Sequence, residues 1–298
     1  MKNLNVYIFE KRGIVTDENS WSNLVDNIID YVLDKAKNQK YLTIPHKYLT
    51  PWLSELNVEI LDYKDYSYVP KESEIMDNKL SAYLEIYVPK ENVDKKALKH
   101  ALEHEISHAF DDYIARTKRG EKINTDYPAT GFALPETDER DMLDLDKNPK
   151  KVSSTHLFYL LDKCGYYFNN TEVSAYLREF DLVLKEYENK QYNFKSIYND
   201  INDGAGPIVW LDLLHICISN INKYKVDQDH IDWEYMNKGI NLHWSKEFLG
   251  KTVSVKTKED FIRVINIILK RYGDKIIKRY NRLFTDHNVE IKNKPYWF

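Results

Sequence analysis

The chain is short of residues on which several protein classes depend. Only two of its 298 residues are cysteine, Cys164 and Cys217, too few for a disulfide framework or a cysteine-built zinc cluster. Both read as core thiols. Glycine numbers nine, about 3% of the chain against a usual ~7%, which argues against glycine-looped nucleotide folds and propellers. No Walker loop, dinucleotide fingerprint or Gly-x-Ser-x-Gly elbow occurs. Long apolar runs are missing as well. The most apolar stretch, Pro207 to Ile218, is interrupted by Asp212 and His215, whereas a transmembrane helix needs about 20 nearly uncharged residues. The opening residues, MKNLNVYIFEKRG, lack the apolar core of a secretory signal. Neither sign of charge dominates: the formal net charge is -4 and the pI is near 6.2, so no global field recruits nucleic acid. The expectation is a cytoplasmic protein with no membrane or polynucleotide partner.

What is present is a globular composition, 43% hydrophobic and 30% charged, in a chain long enough to bury a substantial core. The hydrophobic pattern gives the organisation. Leu4 to Phe9, Val58 to Leu61 and Leu80 to Val88 alternate as strands, the last with Ala82, Leu84, Ile86 and Val88 on one face. Ser20 is placed to cap a helix carrying Trp21, Leu24, Val25, Ile28, Ile29, Val32, Leu33 and Ala36, an i, i+3, i+4, i+7 stripe. Asp94 caps a second helix that runs to about Thr117, with Gly120 as its stop.

Residues 120–151 read as a loop-like insert, in which Glu136 to Asp146 holds six acids against one Arg. From Ser153 onward the pattern is helical: Ser154 to Lys163 with a stop at Gly165, Thr171 to Asn189, Gly206 to Tyr224, and a pair from Thr257 to about Phe284 with a turn near Gly273. The basic run Lys270 to Lys294 reads as a solvated helix face. The fold class expected is α+β and predominantly helical. Residues 1–190 form a first domain with a small N-terminal sheet, and residues 191–298 form a helical C-terminal region.

The helix from Asp94 contains His104-Glu105-Ile106-Ser107-His108, an HExxH pattern. Histidines at i and i+4 lie one turn apart on one helix face, so both imidazoles can ligate a single metal ion. The Glu after the first His sits near that face without reaching the ion, where it can accept a proton from metal-activated water. The ion expected is one Zn²⁺, bound by His104 and His108, with Glu105 as general base.

A third ligand is needed downstream. Glu172, in the first turn of the Thr171 helix, leads the candidates; Asp111, Asp112 and His156 remain alternatives, the two Asp also as groups that orient a ligand imidazole. Donors for an oxyanion are expected among Tyr166, Tyr167, Tyr176 and His156, with Tyr176 and His156 as the leading choices. The Leu80 to Val88 strand either offers an edge to an extended peptide or is only a core strand.

These residues resemble the zincin group of zinc metallopeptidases over about residues 80–190. An HExxH helix completed by a Glu on a second helix is similar to the gluzincin arrangement. The Asn-rich entry Asn169-Asn170-Thr171 followed by Glu172-Val173-Ser174-Ala175-Tyr176 resembles bacterial and phage HExxH proteins. Thermolysin-like gluzincins have a shorter gap and an Asp four residues after the ligand Glu, where this chain has Tyr176. The resemblance implies hydrolysis of a peptide or protein substrate. The alternative from another class is a metal-stabilised binding or structural protein, such as a phage component, that holds the site without turnover.

Overall fold

A computed structural model of the chain describes residues 18–120, 154–197, 206–223, 231–243 and 252–298. The architecture is α+β, mainly helical, with a small mixed sheet near the N-terminus. Helix α1 (Glu18–Lys35) is followed by β1 (Tyr41–Thr43), β2 (Leu53–Leu61), β3 (Tyr66–Tyr68), β4 (Glu74–Met76) and β5 (Lys79–Tyr87). In the sheet β2 lies between β1 and β5, and β3 and β4 both pair with the other side of β5. The β2–β5 pair is parallel and the others are antiparallel. The alternation read in β5 holds for Ala82, Leu84 and Ile86, which are buried together with Leu80, whereas Val88 lies just past the strand and is half-buried. Of its two readings, edge or core, the structure bears out the core strand. With β2 on one side and β3 and β4 on the other, β5 is an interior strand and offers no free edge. At the sheet margin nearest the HExxH helix lies β3.

Helix α2 (Lys95–Lys118) crosses the sheet. Asp94 caps it as the sequence requires, its carboxylate accepting from the Lys96 and Ala97 N–H groups at 2.9 and 3.1 Å. Gly120 follows at φ +62°, a left-handed conformation that favours glycine. Helix α2 buries residues all round. Leu98, Leu102, Ile106 and Phe110 join α1 and the sheet in a first hydrophobic core, while His100, His104 and His108 face the next helices.

Helices α3 (Ser154–Tyr167) and α4 (Asn170–Glu186), strand β6 (Gln191–Asn193), helices α5 (Pro207–Lys223), α6 (Trp233–His243), α7 (Lys258–Ile268) and α8 (Asp274–Asp286), and strand β7 (Glu290–Lys292) follow. They enclose a second core that includes Leu160, Leu177, Phe180, Trp210, Leu214, Ile265 and Tyr280. Strands β6 and β7 pair in parallel, and His287 Nε2 lies 2.8 Å from Asp181 Oδ1, tying the end of α8 to α4. Helix α4 packs along α2 and so joins the two cores.

Two helix boundaries differ from the expected ones for packing reasons. Gly165 does not stop α3, which continues to Tyr167; there the Tyr167 ring stacks on Trp210 with centroids 5.6 Å apart. Nor does Gly273 make a turn. A π-helical segment, Leu269–Gly273, runs directly from α7 into α8, and a Cβ at Gly273 would come within 3.0 Å of Leu211 Cδ1. The expected strand at Leu4 to Phe9 and almost all of the 120–151 insert lie outside the described residues. Among the described residues, no helix is long and apolar enough to cross a membrane.

Candidate metal centre

The site is built where α2 and α4 run side by side. On α2, His100, His104 and His108 recur every four residues and so share one face. On α4, Glu172, Ala175, Tyr176 and Glu179 occupy i, i+3, i+4 and i+7, again one face. Asn169 caps α4, its side chain accepting from the Thr171 N–H at 3.1 Å. That cap fixes the first turn, which carries Glu172.

The three side chains converge. His104 Nε2 and His108 Nε2 are 3.0 Å apart, Glu172 Oε2 is 3.5 Å from His104 Nε2, and Glu172 Oε1 is 3.4 Å from His108 Nε2. A tetrahedral zinc site with bonds of about 2.0–2.1 Å has ligand–ligand edges of about 3.3 Å, so these separations suit an ion at their centre. Glu172 Oε2 is buried and accepts no hydrogen bond among the described residues, an arrangement that is costly unless something else meets it. The two-histidine, one-carboxylate group can hold a metal ion, and its donor chemistry suits zinc.

The rival ligands have other engagements. Asp111 Oδ1 accepts from Arg178 Nη2 at 3.2 Å, and Asp112 Oδ1 accepts from Arg116 Nε at 2.8 Å. The other oxygen of Asp112 accepts from the Tyr68 hydroxyl. His156 lies on α3, but its side chain falls outside the described set. Of the candidates, the structure brings His104, His108 and Glu172 together.

No family model, curated protein or solved structure matches the chain.

Glu105, next to the first histidine, lies on the flank facing β3. Its Oε2 accepts the Tyr68 N–H at 2.7 Å. Burial pushes its pKa up, against the pull of His104, His108 and the Tyr68 N–H. Burial works against a charge on His104 too, yet the Glu172 and Glu179 carboxylates outweigh it and raise the pKa to about 10. At Glu172 burial is outweighed by the two imidazoles, which hold the carboxyl well below its usual range. The Glu172 and Glu179 carboxylates thus favour positive charge at this spot.

The centre opens into a cleft of about 350 Å³ lined by Lys64, Tyr66, Glu105, Tyr166, Tyr176 and Glu179, among others. The Tyr176 ring packs edge-on against His104, with centroids 4.4 Å apart. Tyr166 is 44% exposed overall, but its hydroxyl end is enclosed beside Glu172; that enclosure and the nearby carboxylates push its pKa up, so the phenol stays neutral and able to donate. The same holds for Tyr176.

Sequence reasoning missed Glu179. Its carboxylate is 1% exposed and stands between His100 Nδ1, at 3.4 Å, and His104 Nδ1, at 3.8 Å. A signal existed, since Glu179 is two turns beyond Glu172 and so on the same face of the helix.

Proposed function

We propose that the chain is a zinc-dependent metallopeptidase of the zincin type, gluzincin-like in its ligand set. The observation that carries this reading is the convergence of His104, His108 and Glu172, all three pairwise separations lying between 3.0 and 3.5 Å, with the Glu105 carboxylate on the adjoining flank. Zinc bound there would supply Lewis acidity and an activated water nucleophile.

The chain's own residues would do the rest. Glu105, its carboxyl shifted upward by burial, takes the proton as general base and returns it to the leaving amine. The Tyr68 N–H holds one oxygen of that carboxylate and leaves the other to exchange the proton. Tyr166, beside Glu172 at the mouth of the cleft, is the best placed neutral donor for an oxyanion. Tyr176 packs on His104 and limits how that ring turns. The substrate is a peptide or protein segment entering beside Lys64, Asp65 and Tyr66, the residues that lead into β3.

A second reading, a metal-stabilised binding protein without turnover, draws on the Glu105–Tyr68 hydrogen bond, which gives Glu105 a structural partner. Glu105→Gln separates the two. An enzyme keeps its zinc and loses roughly 10²–10⁴-fold in cleavage of an unfolded protein substrate. A variant that cleaves as fast as the wild type removes Glu105 from catalysis, and a zinc-loaded wild type with no cleavage favours the binding protein.

A further inference from the structure

Glu179 belongs to no ligand set, yet it is the most deeply enclosed acid of the cleft. It is 1% exposed, and the two groups it faces are imidazole nitrogens one helical turn apart on α2. Its Oε1 faces His100 Nδ1 and its Oε2 faces His104 Nδ1. An ionised carboxylate has acceptors only. At 3.4 and 3.8 Å the two Nδ1 atoms approach it without yet being hydrogen-bonded; an imidazole drawn into that bond presents N–H at Nδ1, and a neutral ring then keeps its lone pair on Nε2. In His104 this is the nitrogen 3.0 Å from His108 Nε2 and 3.5 Å from Glu172 Oε2.

We propose that Glu179, held from its far side by His100, is a positioning residue that fixes the ring orientation and tautomer of His104 for metal binding. The proposal rests on the reading of His104, His108 and Glu172 as a zinc site. The relay runs His100, Glu179, His104, and each link is buried: His100 is 6% exposed and His104 is 9% exposed. His100 is thus not a spare histidine on the metal face. It lies against Oε1 of Glu179 and leaves Oε2 turned toward His104. The position four residues after Glu172 is taken by Tyr176, whose ring packs on His104, so α4 supplies the orienting acid one turn later.

Glu179→Gln is the direct test, because an amide of the same shape puts an NH2 donor in place of one of the two oxygens that face the imidazoles. The zinc dissociation constant, read by competition with a chromophoric chelator, should rise roughly 10- to 100-fold. A slowly exchanging imidazole N–H proton, assigned to His104 Nδ1 in the zinc-loaded wild type by ¹H–¹⁵N correlation, should vanish in the variant. A purely structural Glu179 would shift the melting temperature and leave both readouts in place.

Should Glu179→Gln fail to fold, His100→Leu decides, since it keeps Glu179 and removes one donor. A rise in the dissociation constant of about 2- to 10-fold is expected there, and no rise overturns the relay. A wild type that binds no zinc overturns the metal reading beneath this one. A wild type that binds zinc, with Glu179→Gln binding within twofold of it, overturns this inference alone.

Discussion

Replacing Arg178 with Met should destabilise the chain by about 3 kcal/mol. Arg178 lies on α4, six residues after Glu172, and is 1% exposed. It donates to Asp111 Oδ1 and to the Ser107 carbonyl, both on α2 and both at 3.2 Å. Its guanidinium also sits 5.7 Å from the Phe110 ring centroid. It therefore bolts the helix carrying the candidate carboxylate ligand to the helix carrying the two histidines. Methionine keeps most of the packing volume but leaves Asp111, 5% exposed, without its guanidinium. Breaking a buried pair by removing one partner costs about 3–5 kcal/mol, and the long contacts place this one at the low end. An unfolding entropy of about 2.1 cal/mol/K per residue gives roughly 0.6 kcal/mol/K for 298 residues. The melting temperature, followed by far-ultraviolet circular dichroism, should thus fall about 5 °C. The double variant Arg178→Met with Asp111→Leu removes both charges and should regain most of the loss, with a coupling of about 1–3 kcal/mol. A single-variant cost below about 1 kcal/mol, or single costs that simply add, would refute the buried pair as the link between α2 and α4.

Three further outcomes are expected. A Cβ at Gly239 would overlap the ring of Phe158, so Gly239→Ala should lower the urea midpoint by the equivalent of about 1–2 kcal/mol, overpacking outweighing the gain in helix propensity; a neutral or stabilising result contradicts the close approach of α6 to α3. Burial pushes the Cys217 thiol up to about 12 and raises Cys164 as well. At pH 8 both stay protonated, and a disulfide reagent should react with neither until the chain unfolds; fast modification of the native protein contradicts their burial. With free zinc at about 100 times its dissociation constant, linkage adds about 2.7 kcal/mol to the folded state. On the same entropy scale that raises the melting temperature by about 4 °C, and EDTA should reverse it; no effect of either addition contradicts a native-state zinc site.

Much of the site could be read from the sequence because its parts are local. The Asp94 cap, the apolar stripe of α2 and the i, i+4 histidines all lie within one helix, where spacing fixes geometry. Glu172 was found because Asn169 and Thr171 mark a helix start. Glu179 was not, since its role depends on two imidazoles of another helix, and no local pattern separates it from a solvated acid. The strands β1, β3 and β4 were missed because three residues are too few to show alternation, and their places are set by pairing with β2 and β5. The same non-local cause left edge and core both open for β5: alternation marks a half-buried face, and only the pairing of β3 and β4 shows that its outer side is covered. Glycine misled twice, at Gly165 and Gly273, because packing of Tyr167 on Trp210 and the closeness of Leu211 decide those positions rather than chain reversal. Helix α6 drew no notice at all. Its stripe is short, and its capping residue Asp232, which accepts from the Tyr235 N–H, precedes a Trp rather than an evident apolar run.

The central claim is that His104, His108 and Glu172 together hold one zinc ion. Zinc per chain, measured by inductively coupled plasma mass spectrometry after dialysis against metal-free buffer, tests it directly in the wild type, His104→Ala and Glu172→Ala. The account predicts one zinc per wild-type chain and little in either variant. A wild type without zinc, or a folded variant that keeps a full equivalent, would contradict it.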